Sequence, residues 1–72
     1  MRTLILIPTE TEAAPLRAAY PDAPIRIVGV GMAAVAAATT RIIAEEHPDR
    51  LILAGIAGAS DRSVAVCEVV AV

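Results

Sequence analysis

Apolar positions along this chain fall into short runs, and polar or proline-rich breaks separate them. Leu4-Ile5-Leu6-Ile7 is continuous and closes at Pro8-Thr9, which predicts a buried strand. Thr9 is a good helix N-cap, and Glu12 stands three residues on, the spacing of a capping box. That spacing predicts a helix over about Glu10 to Ala19. Glu10 and Glu12 then lie in the first turn, where the helix dipole favours negative charge. Pro15 opposes the prediction, because proline inside a helix costs about 3 kcal/mol. It lies near enough to the start for a short or kinked helix to survive.

Tyr20-Pro21-Asp22-Ala23-Pro24 reads as a turn, and Ile25 to Val28 as a second strand that ends at Gly29-Val30-Gly31. A long alanine-rich helix is predicted from Met32 to Glu46. His47-Pro48-Asp49 stops it, since a residue before proline is pushed out of the helical region. Arg50 to Ala54 reads as a third strand, and Ser60 to Ser63 as a polar loop that holds a solvated Asp61–Arg62 pair. Val64 to Val72 is a further β-branched run, read as a fourth strand that buries Cys67 as a small hydrophobe. The order β-α-β-α-β-β predicts an α/β fold with a mostly parallel sheet and right-handed crossovers. Because the last run has no covering helix, the expectation is a truncated unit: residues 1–72 as the amino-terminal fragment of one α/β domain.

Composition sharpens this picture. A chain of 72 residues allows one small domain, and hydrophobic residues make up 57% of it. Such a short chain buries only about 60% of its unfolded surface. One cysteine excludes an internal disulfide, and one histidine makes a zinc site improbable. Self-association into a homo-oligomer is therefore expected. The net charge of −2 and the lack of a basic patch argue against nucleic acid as a partner. The apolar runs are far shorter than the roughly 18 residues of a membrane span. Met1 to Pro8 starts like a weak signal peptide but leads into Glu10 and Glu12, so a cytoplasmic protein is expected.

Three segments can carry chemistry. Gly55-Ile56-Ala57-Gly58-Ala59 follows a buried strand, where open α/β sheets bind ligands and main-chain N–H groups lie bare. A plain sharp turn explains it as well. Gly29-Val30-Gly31-Met32-Ala33-Ala34 fits the G-x-G-x-x-A dinucleotide pattern, but no acidic residue closes the next strand. A tight strand-to-helix turn accounts for those glycines, and a dinucleotide-binding half-domain stays open as an alternative. Glu12 either caps its helix or orients and deprotonates a water; spacing alone favours the cap.

Taken in order, these segments resemble the amino-terminal part of the purine nucleoside phosphorylase and nucleosidase superfamily. The likeness runs through Ile7-Pro8-Thr9-Glu10-Thr11-Glu12 and Leu16, Gly29 to Ala34, Pro48-Asp49, Gly55 to Ala59 and Val66-Cys67-Glu68-Val69-Val70. Phosphorylases of the superfamily carry an arginine two residues before the glycine that matches Gly55, and this chain has Leu53 there. Bidentate phosphate recognition needs a guanidinium, so the resemblance is to the hydrolases. Gly-Ile-Ala-Gly-Ala is similar to the futalosine hydrolases of menaquinone synthesis. Ile56 and Ala59 depart from the Gly-Ser-Ala-Gly-Gly usual in methylthioadenosine/S-adenosylhomocysteine nucleosidases.

The resemblance implies a phosphorylase-like fold and hydrolysis of the N-ribosidic bond of a purine nucleoside, without cofactor or metal. Glu12 matches the water-activating glutamate. Ile56, Ala57 and Gly58 match the backbone strip beside ribose and water, and Gly31 and Met32 match a loop near the ribose. The purine-binding segment, the glutamate that holds the ribose hydroxyls and the aspartate that protonates the base follow later in the family. On this reading the activity belongs to a longer parent and the fragment itself is inactive. The alternative from another class is a non-catalytic self-associating α/β module.

Overall fold

In the computed structural model, residues 1–58 and 62–71 are described. Strand β1 (Thr3–Ile7), helix α1 (Glu10–Ala19), strand β2 (Ile25–Ile27), helix α2 (Met32–Glu46) and strand β3 (Arg50–Leu53) follow in that order. The three strands form one parallel sheet in the order β2-β1-β3. Ile5 lies beside Ile25 on one side and beside Ile52 on the other, so the middle strand is β1.

Alternation along β1 divides the core between its two faces, as the pleat requires. Leu4 and Leu6 pack with Val28 and with Ala38 and Ile42 of α2. Ile7 packs with Ala13 of α1 and with Ile25 on the opposite face, where half-buried Ile5 and Leu16 join them. The helices therefore cover opposite faces of the sheet. Alanine at 13 and 38, both buried, lets each helix lie close to the strands.

Local chemistry sets the helix ends. Thr9 is extended and its side chain accepts from the Glu12 amide, as an N-cap does. Helix α1 passes through Pro15, which lies in its second turn. His47 closes α2 in the left-handed region at φ 48°, with its amide donating to the Ile43 carbonyl. Asp49 and Arg50 then donate from their amides to the Arg2 carbonyl, which starts β3 beside β1.

The expected fourth strand is not formed within the described residues. Residues 62–71 take turns and irregular backbone. Glu68 donates from its amide to the Ala65 carbonyl, its carboxylate accepts from the Ala65 amide, and Cys67 stands at φ 68°. A β-branched run becomes a strand only against a partner edge, and this turn breaks the run in its middle. Cys67 is consequently exposed and free, not the buried hydrophobe expected from its neighbours. The expected Asp61–Arg62 pair, the Ala59 end of the glycine turn and the Val72 end of the last run fall on positions outside the described residues.

Candidate active site

The strand order turns back at β1. The chain steps from β1 to β2 on one side and then crosses to β3 on the other. In open parallel sheets the crevice at the carboxyl ends of the strands, beside such a reversal, is where ligands bind. Here the residues that leave β1 and β3 meet at that place. The Ile56 amide donates to Glu12 Oε1 at 3.2 Å, across 44 residues of sequence. Thr9 Oγ1 donates to the other carboxylate oxygen, Oε2, at 2.9 Å.

Glu12 therefore departs from the capping box. Its backbone amide donates to Thr9 Oγ1 at 3.2 Å, as a capped helix requires. Its side chain does not return to the Thr9 amide but leans over the end of the sheet to the turn after β3. Gly55 lies beside this contact: a Cβ there would stand at ordinary van der Waals distance, 3.4 Å from Pro8 Cδ and 3.8 Å from Glu12 Oε1. The half-buried carboxylate thus sits between two donors, and each oxygen keeps a lone pair for a further hydrogen.

Beside it an open cleft of about 1070 Å³ lies over the carboxyl ends of the strands. Pro8, Gly29, Gly31, Gly55 and Ile56 line its sheet side, and the 64–70 segment faces them. Gly31, Ile56, Ala57 and Gly58 all line this cleft. Glu12 and Met32 do not line it: Glu12 is joined to its wall through the bond from the Ile56 amide, and Met32 stands 90% exposed at the first position of α2. Val30 and Leu53 also line it; motif reading gave Val30 no role within G-x-G and noted Leu53 only as standing in place of an arginine, although their place at strand ends was an available signal.

The two glycines before α2 have separate reasons. Gly29 is at φ 85° with a would-be Cβ 3.3 Å from Ala34 Cβ, so the turn needs both a positive φ and a bare α-carbon. Gly31 is at φ 97° with open space around it, and it caps α2 without a side-chain bond. A tight strand-to-helix turn thus accounts for the G-x-G spacing.

Among the described residues no group of three His, Cys, Asp or Glu side chains could hold a metal ion. No helix among them is long and apolar enough to cross a membrane. Neither a family model, nor a curated protein, nor a solved structure matches this chain.

Proposed function

We propose that this chain supplies the water-activating half of an N-ribosyl hydrolase site that cleaves a purine nucleoside of futalosine-like type. One observation carries the proposal: a carboxylate from the first turn of α1, which follows β1, is held against the backbone of the turn after β3, at the sheet reversal. Hydrolysis of an N-ribosidic bond needs a base beside the water and, on the other face of the sugar, an acid for the leaving purine. Glu12 would take the proton of the water. Gly58, Ala57 and Ile56 would lie along the ribose, with Gly31 and Met32 at its rim. The finer fold belongs to the same proposal: a phosphorylase-like sheet, widened by a strand from the Val64–Val72 run in a parent protein that also brings the acid. Such an enzyme works in the cytoplasm without cofactor.

The test is release of free purine from nucleosides by the protein that carries this chain. Glu12→Gln keeps the shape and removes the base, so the rate is expected to fall by about 10²–10⁴-fold. Unchanged hydrolysis in that variant would remove Glu12 from the mechanism.

A second reading, a self-associating module, has its own observation. The outer edge of β3 pairs with no strand among the described residues, and Ile52 and Leu53 on it are 45% and 63% exposed. A bare apolar edge is a template for another strand. Sedimentation over a range of concentrations, with and without nucleoside, tests it: association with no nucleoside binding favours the second reading, and a chain that stays monomeric removes it.

A further inference from the structure

We infer that Thr9 is a positioning residue for Glu12, an inference that rests on the hydrolase reading above. One hydroxyl makes two bonds of opposite sense. It accepts from the Glu12 amide at 3.2 Å and donates to Glu12 Oε2 at 2.9 Å. The first bond is the ordinary duty of an N-cap. The second serves no need of the helix, because a carboxylate in the first turn is already favoured by the dipole. What it does is fix the direction of the carboxylate.

With Oε2 tied to Thr9 and Oε1 tied to the Ile56 amide, the Glu12 side chain is held at both oxygens. A base so held presents its remaining lone pairs in one orientation. A glutamate without the hydroxyl would keep its charge and its helix but lose its aim. Geometry of this kind acts on the chemical step more than on binding, since a displacement of about 1 Å can cost on the order of 10²-fold in rate. The Thr9 hydroxyl is engaged with Glu12 and Thr9 does not line the cleft, so its effect passes through Glu12.

The capping duty and the positioning duty can be separated. Glycine is tolerated at an N-cap nearly as well as threonine, so Thr9→Gly keeps α1 while removing the donor without adding charge. Thr9→Ser keeps both bonds. The readout is the Ile56 amide proton, followed by NMR in the full chain. In the wild type and in Thr9→Ser it is expected downfield of its place in Glu12→Ala, the response to the carboxylate it donates to. In Thr9→Gly that displacement is expected to shrink by half or more while circular dichroism shows the helical content retained. In the protein that carries this chain, Thr9→Gly is expected to lower kcat about tenfold with little change in KM, and Thr9→Ser to restore it. An Ile56 response of full size in Thr9→Gly overturns the inference. A wild-type protein that shows the Ile56 response but hydrolyses no purine nucleoside overturns the hydrolase reading instead, so the two failures are distinguishable.

Discussion

Arg26 on β2 meets Glu46 in the last turn of α2, with Nη2 2.6 Å from Oε1, and Arg2 reaches the same oxygen at 2.9 Å. Arg2 also donates to the Glu46 backbone carbonyl. A carboxylate at a helix C-terminus opposes the dipole, and two guanidinium groups offset that while tying the helix to β2 and to the segment that leads into β1. The hydrogen bond from Arg26, with the charges of Arg26 and Arg2 behind it, holds the Glu46 carboxyl below its ordinary range. Arg26 is held above its own and stays protonated at every working pH. Glu46 binds its proton more readily when unfolded, so its contribution is present above the ordinary carboxylate range and is lost as pH falls through and below that range. Glu46→Gln is expected to lower the thermal midpoint at neutral pH and to flatten the acid limb of a stability profile. Because both partners are partly open to water, added salt should shrink the difference.

Two glycines at the cleft are expected to respond differently to alanine. At Gly29 the positive φ and the 3.3 Å approach to Ala34 Cβ both oppose a side chain. Gly29→Ala should cost about 1–3 kcal/mol in chemical denaturation. Gly55 meets Pro8 at ordinary van der Waals distance, 3.4 Å, so Gly55→Ala should stay within about 1 kcal/mol of the wild type. Gly55→Val adds methyl groups on the side of Pro8 and Glu12 and should break the Glu12–Ile56 bond. Loss of the downfield displacement of the Ile56 amide proton would report that directly.

The helices were legible from the sequence because their ends are local. Thr9 and the His47-Pro48 pair mark them, and both helices span the expected residues. The strands shifted by a residue at their ends, where ladder bonds rather than side chains decide. Thr3 joined β1, while Val28 and Ala54 fell outside β2 and β3. The Val64–Val72 run misled because apolar β-branched character records a preference, whereas a strand needs an edge to pair with. At the site, Glu12 and Ile56 were each legible as candidates. Their contact was not, since a capping-box spacing predicts a side chain turned back on its own helix. Only the sheet order, which sets the end of β3 beside the end of β1, draws it away.

Thr39 offers a substitution expected to stabilise. Its Oγ1 is buried on α2 without a hydrogen-bond partner, whereas the neighbouring Thr40 hydroxyl donates to the Ala36 carbonyl at 2.8 Å. An unsatisfied buried hydroxyl costs about 1–3 kcal/mol by mutational measures. Thr39→Val keeps the branched shape and removes the orphan. It should raise stability by about 1 kcal/mol in urea unfolding, while Thr40→Val should give no such gain.

Leu4 sets the opposite extreme. It is 1% exposed and packs with Leu6, Val28, Ala38 and Ile42 in the core under α2. Truncation to alanine removes buried methyl groups and leaves a cavity, at a cost of about 2–5 kcal/mol. A chain of this length has a total stability of about 4–11 kcal/mol. Leu4→Ala should therefore lose a large share of that stability and show a markedly lower thermal midpoint by circular dichroism, whereas Val66→Ala, at a solvated position, should match the wild type.

The two edges of the sheet are not equivalent, which gives a test of association. The β2 edge is three residues long, directly follows Pro24, and carries Arg26 engaged with Glu46. Those are features that blunt an edge. The β3 edge has none beyond Arg50 at its start: Ile52 lies on the α1 face beside Ile5, and Leu53 on the α2 face beside Leu6. Copies of the chain should therefore join through β3. Ile52→Lys places a charge on that edge at a half-exposed position, where the folded protomer has little to lose. It should shift sedimentation toward the 7.4 kDa monomer without lowering the unfolding midpoint of dilute protein. Lysine at Ile27, on the β2 side, should leave the association unchanged. If instead the Ile27 variant dissociates and the Ile52 variant does not, the β2 edge is the contact and the asymmetry between the edges has been misjudged.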